Sequence, residues 1–177
     1  DLAIVSGRGP TVLTDIEGLK PLVRDEDIVA FGFRDAEQQR EYGSQDIRET
    51  AIHAFEIDDV RELGAAVAAE QAAGILRRND VEGFWIHLDA DVLDDVVMPA
   101  VEYHLPGGLS WDELSATLRA LMATGQAVGV NVGIDGNYWI TTMKGVGIGV
   151  VGFLRLPGSS LGFWSPPGMT GDETVCR

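Results

Sequence analysis

The stretch Phe84-Trp85-Ile86-His87-Leu88-Asp89-Ala90-Asp91-Val92-Leu93-Asp94-Asp95 decides the fold class. A run of large apolar residues ends abruptly in carboxylates, which reads as a strand carrying an Asp-x-Asp at its C-terminal end. Side chains two apart on a strand share a face, so His87, Asp89 and Asp91 are expected on one side, with the two aspartates converging. In open parallel sheets that end is where ligands bind. Two close carboxylates repel, and one takes up a proton unless a divalent cation keeps both ionised; oxygen donors of this kind suit Mg or Mn. The same spacing also serves plain loops in which carboxylates accept from local amides. The Asp-x-Asp alone leaves both readings open.

Outward from this segment, Leu2 to Val5, Ile28 to Phe33 and Val128 to Ile134 are further short apolar runs, bounded by Gly, Pro or charged residues. With Phe84 to Leu88 they read as strands buried on both faces. Helical patterns lie between them: a short one over Asp35 to Tyr42, a long Ala-rich one over Asp58 to Arg78, and a third over Trp111 to Thr124. The third is the most sharply marked. Ser110 and Glu113 form a capping box after the turn Pro106-Gly107-Gly108, Leu114, Leu118 and Leu121 repeat at helical spacing, and Gly125 ends it. Alternating strands and helices predict an α/β fold in three layers, α/β/α, around a mainly parallel sheet.

The chain has 177 residues and a formal charge of −15, with 45% hydrophobic residues. So acidic a chain lacks the Lys/Arg-rich footprint of nucleic-acid or anionic-membrane binders, and neither partner is expected. No run reaches the ~20 apolar residues of a membrane span, and no signal-peptide pattern opens the chain. Cys176 is the single cysteine, too few for an internal disulfide; the expected setting is the reducing cytoplasm. The opening Asp1-Leu2-Ala3-Ile4-Val5 reads as a strand entered midway, which suggests residues missing upstream. Composition breaks near Asp135. Residues 136–177 carry nine of the 22 glycines and a net charge of +1, against −16 for residues 1–135. Pro157-Gly158-Ser159-Ser160 and Pro166-Pro167-Gly168 leave no room for a useful helix. This tail is either an irregular ordered extension or a segment foreign to the fold. Gly147-Ile148-Gly149-Val150-Val151-Gly152 matches a dinucleotide-binding pattern in letters, but the strand before and helix after are missing, and Pro157 cuts any helix short.

Asp89-Ala90-Asp91-Val92-Leu93-Asp94, followed by Met98-Pro99-Ala100 and Pro106-Gly107-Gly108-Leu109, resembles the ureohydrolases, the arginase and agmatinase family. Asp1 to Pro10, Asp25 to Asp35 and the helix before the Asp-x-Asp strand are similar to the second half of bacterial members. The resemblance divides the chain into residues 1–135, read as a partial arginase-like domain truncated at its N-terminus, and residues 136–177, a Gly/Pro-rich tail without an assigned fold. It implies a manganese-dependent hydrolase with two Mn2+ per site, in which a metal-bridging hydroxide cleaves a linear C–N bond of a guanidino or amidino compound such as arginine or agmatine. Asp89 would then bridge both metals, Asp91 would be a terminal ligand, and Asp94 would support the loop. A small guanidino substrate and a homo-oligomer are the implied partners.

Three departures qualify the resemblance. The family's other four metal ligands come from a Gly-Gly-Asp-His and an Asp-x-His-x-Asp segment, and this sequence contains neither. The chain on its own therefore also fits a catalytically inactive fragment or truncated homologue. Arg8 stands where arginases have a His facing the substrate; a permanent guanidinium cannot shuttle protons, leaving it to bind a substrate carboxylate or to pair with a nearby Asp. Asp95 and Ala100 replace a Pro and a frequent Gly. His87 is expected as a hydrogen-bonded strand residue before it is expected as a ligand.

Overall fold

The computed structural model describes residues 2–77, 81–99 and 104–133, together with the backbone of 153–154. In chain order the elements are α1 (Leu2–Val5), α2 (Thr11–Thr14), β1 (Ile28–Phe33), α3 (Ala36–Glu41), β2 (His53–Glu56), α4 (Ile57–Leu63), α5 (Ala65–Leu76), β3 (Phe84–Asp89), α6 (Trp111–Ala123), β4 (Ala127–Gly133) and β5 (Phe153–Leu154). The sheet order is β2-β1-β5-β3-β4. β1 pairs with β2 in parallel and β3 with β4 in parallel, while β5 runs antiparallel between β1 and β3. The expected α/β architecture with a mainly parallel sheet is present. The rest of the tail, including the Gly147 to Gly152 pattern, lies outside the described residues.

β1 is buried on both faces, as its unbroken apolar sequence requires. Val29 and Phe31 join a core with Ala68, Ala69, Ala72, Ala73 and Leu76 of α5, with Phe84, Ile86 and Leu88 of β3, and with Leu114 and Leu121 of α6. The alanine face of α5 lets that helix lie close to its neighbours. Ile28 and Ala30 point the other way, into a smaller cluster with Val23 and Ile52 against which Leu2 and Val5 pack. Each large apolar side chain buried here contributes about 1.5–3 kcal/mol over leaving it exposed. β3 departs from expectation: Phe84, Ile86 and Leu88 are buried, but Trp85, His87 and Asp89 on the opposite face are half-buried. β4 is more open still, with Val128, Val130 and Val132 about half exposed.

Two further expectations are corrected. Leu2–Val5 is one turn of helix and not a strand; it is closed by Ser6 N donating to Leu2 O at 3.1 Å and by Ser6 Oγ donating to the same oxygen at 2.8 Å. A four-residue apolar run satisfies either period, so local closure decides. The helix expected over Asp58 to Arg78 is broken in two by Gly64, whose φ of 84° lies where L side chains are strained. β2, only four residues long, has no strand signal beyond Ala54-Phe55, yet Phe55 packs its ring 5.8 Å from that of Phe31 across the pair.

Candidate functional site

β3 ends at Asp89, and the chain turns at once into a 3-10 turn, Ala90–Val92. Asp89 caps this turn, its Oδ1 accepting from Asp91 N at 3.4 Å. Strand pairing therefore stops at Asp89 and Asp91 lies in the turn, but burial keeps alternating, with Ala90 and Val92 buried and Asp89 and Asp91 half-buried. Both aspartates lie at the C-terminal end of the parallel pair β3–β4, where Asp89 stands opposite Gly133 in register.

The loop after the turn is held by close backbone approach. Leu109 N donates to Val92 O at 2.7 Å and Asp94 N to Leu109 O at 3.0 Å. A Cβ on Gly108 would lie 2.3 Å from the Leu93 carbonyl carbon, so only glycine fits between the two segments. Asp94 closes the loop, its Oδ2 accepting from Gly107 N at 2.8 Å and its Oδ1 from Val96 N at 3.1 Å. These amides hold the Asp94 carboxyl below the usual carboxylate range.

Arg34 is the residue that sequence reading passed over. Gly32, at φ 78°, skips a partner in the β1–β2 register and sits so close to Val92 that a Cβ would be 3.0 Å from Cγ2. Beyond this bulge Arg34 reaches the acidic loop. Nη2 donates to Asp91 O at 2.9 Å and Leu93 O at 3.4 Å, Nε donates to Leu105 O at 3.1 Å, and Nη2 also contacts Leu105 O. Burial pulls its pKa below the usual arginine range, while the carboxylates of Asp91, Asp94, Asp35 and Asp95 push it back up. The only sequence signal was a cation directly after a buried strand.

Arg8 has other partners. It forks onto Asp25, with Nη1 to Oδ1 at 2.7 Å and Nη2 to Oδ2 at 2.5 Å, and Nε donates to Gln45 Oε1 at 2.9 Å. Of its two anticipated roles, the structure displays pairing with an Asp. His87 faces β4, its Nδ1 2.7 Å from Asn131 Nδ2. The Asp89–Asp91 donors are hard oxygens of the kind a manganese or magnesium ion takes. They fall short in number: among the described residues no group of three His, Cys, Asp or Glu side chains is placed to hold a metal. Nor is any helix of the described residues long and apolar enough to cross a membrane.

The Arginase family model matches residues 15–133. Arginase of Staphylococcus aureus (strain COL) is 30% identical over 142 residues, covering 77% of this chain and 45% of that protein. Arginase of Brevibacillus brevis is 32% identical over 121 residues, covering 68% and 39%. Among solved structures, the arginase of Bacillus caldovelox superposes with a TM-score of 0.67 at 26% identity, over 81% of this chain and 46% of that one. Bacillus subtilis arginase gives 0.66 at 27% identity, over 77% and 44%. The chain thus spans somewhat under half the length of these relatives. Since the family model covers most of the chain and includes the strand, turn and loop that carry Asp89, Asp91 and Asp94, the chain belongs to the arginase family.

Proposed function

We propose that this chain forms part of a metal-dependent hydrolase of the ureohydrolase type, which cleaves a linear C–N bond of a guanidino or amidino compound. The observation that carries this reading is the Asp89–Asp91 turn at the C-terminal end of β3, lying inside the matched region. Asp89 and Asp91 would hold the metal, with manganese as the expected ion. When bound, such an ion supplies Lewis-acid activation of water and substrate. Arg8 is left out of the substrate site because its guanidinium is already engaged by Asp25 and Gln45. A small guanidino substrate, a homo-oligomeric assembly and a cytoplasmic setting belong to the same proposal. So does the division at residue 135 into a family-like body and a Gly/Pro-rich tail, although Phe153–Leu154 of that tail pair between β1 and β3.

A second reading is favoured by the shortage of ligands: on its own the chain is catalytically inactive, with too few donors for two metals. The two readings diverge in one experiment. Mn2+ is titrated into the chain by calorimetry, and urea release is assayed on arginine, agmatine and guanidinobutyrate, with Asp89→Asn alongside. Weak Mn2+ binding lost in Asp89→Asn, without turnover, supports a partial site. Turnover that depends on Asp89 removes the inactive reading, and Mn2+ binding indifferent to Asp89 removes the metal assignment.

A further inference from the structure

We infer that Arg34 is the built-in cation of the Asp89–Asp95 loop, organising the loop without any metal. Carbonyl oxygens of Asp91, Leu93 and Leu105, from two separate segments, converge on one guanidinium. Oxygens turned toward a common point repel one another unless a cation stands there, and a divalent ion is the usual solution in acidic loops. Here the position is filled from β1, and the Gly32 bulge against Val92 delivers it. Four carboxylates, Asp35, Asp91, Asp94 and Asp95, lie within the electrostatic reach of that charge. The planar fork matters as much as the charge, because Nε and Nη2 engage both segments together and a lysine ammonium offers only a single point.

The consequence is a loop in its final shape before any ion arrives. This inference does not depend on the proposed function, since it concerns what shapes the loop and not what the two aspartates bind.

Amide hydrogen exchange on the full chain, in EDTA and in excess Mn2+, tests it. In wild type, protection over residues 91–94 and 105–109 should be the same in both conditions. Arg34→Met should speed exchange there by about tenfold or more while α5 and α6 stay protected, and Mn2+ should not restore it. Arg34→Lys keeps the charge and loses the fork, so its loop should also open; this variant decides the matter if Arg34→Met unfolds altogether. Protection that appears only with Mn2+, restoration of Arg34→Met by Mn2+, or wild-type protection in Arg34→Lys would each overturn the inference. Failure of the metal assignment is read separately, in the Asp89→Asn calorimetry.

Discussion

The indole Nε1 of Trp85 donates to Oδ1 of Asn131 across β3–β4 at 2.6 Å. An indole N–H can only donate, which fixes the amide's orientation and turns its NH2 toward His87 Nδ1, 2.7 Å away. Nδ1 is then an acceptor, and neutral His87 carries its proton on Nε2. A metal at Nε2 needs the opposite tautomer, so this arrangement works against His87 as a ligand. The expected result is an Nε2–H signature in the imidazole 15N shifts.

Gly129 gives a way to disturb this relay. A Cβ there would meet the Trp85 ring at 2.1 Å from Cζ3. Gly129→Ala should push the indole off Asn131, cost about 1–3 kcal/mol by overpacking, and mix the His87 tautomers. Urea denaturation and the same 15N spectrum read both effects, and an unchanged spectrum would refute the relay.

Two adjacent glycines in the loop should behave differently. Gly107 has φ 84° but open space around its Cβ position, whereas a Cβ on Gly108 would strike the Leu93 and Asp94 backbone at 2.3–2.4 Å. Gly107→Ala should cost about 1–2 kcal/mol through left-handed strain alone. Gly108→Ala should cost roughly 3 kcal/mol or more, because backbone cannot move aside as a side-chain tip can. Equal costs, by urea denaturation, would show that the 93–94 and 108–109 segments are not in contact.

The cap of α6 can be measured by the same means. Glu113 N donates to Ser110 Oγ at 3.2 Å, and Ser110 N donates to Glu113 Oε2 at 2.7 Å. Ser110→Ala should cost about 1 kcal/mol, with Ser110→Asp recovering most of it.

This cap was legible in the sequence because every partner is local, within three residues. β1, β3 and the carboxylates at the strand end were legible too, as elements, from composition and period. What escaped reading was decided partly by local closure and partly at long range. Asp91 was assigned to the strand itself, but β3 ends at Asp89 and Asp91 sits in the 3-10 turn that follows. Leu2–Val5 fits a strand by composition and is a helical turn by closure. Arg34 showed nothing in its neighbourhood of its contacts with Asp91 and Leu105, 57 and 71 residues away. Likewise, Arg8 has the chemistry for a carboxylate ligand, and the fold supplies Asp25 to meet it.

Acid should destabilise the fold through identifiable carboxylates. Asp46 is held at about 2 by side-chain hydrogen bonds from Arg48, reinforced by the Arg48 amide. Arg8 holds Asp25 below the usual range against the opposing effect of burial, and loop amides do the same for Asp94. For Glu113, burial raises the pKa, but hydrogen bonds from the Ser110 amide and hydroxyl, with the Arg61 charge, outweigh it and leave the group lowered. In every case the folded pKa lies below the unfolded one. The associated stability is therefore fully present above the ordinary carboxylate range near ~4 and is lost as pH falls through the folded values. The melting temperature should be level from neutral pH down to about 5 and then fall, the decline extending toward pH 2. Asp46→Asn should shorten that low-pH limb without moving its onset, because Asp25, Asp94 and Glu113 still titrate. A limb of unchanged length would mean that the exposed Asp46–Arg48 pair adds nothing to stability.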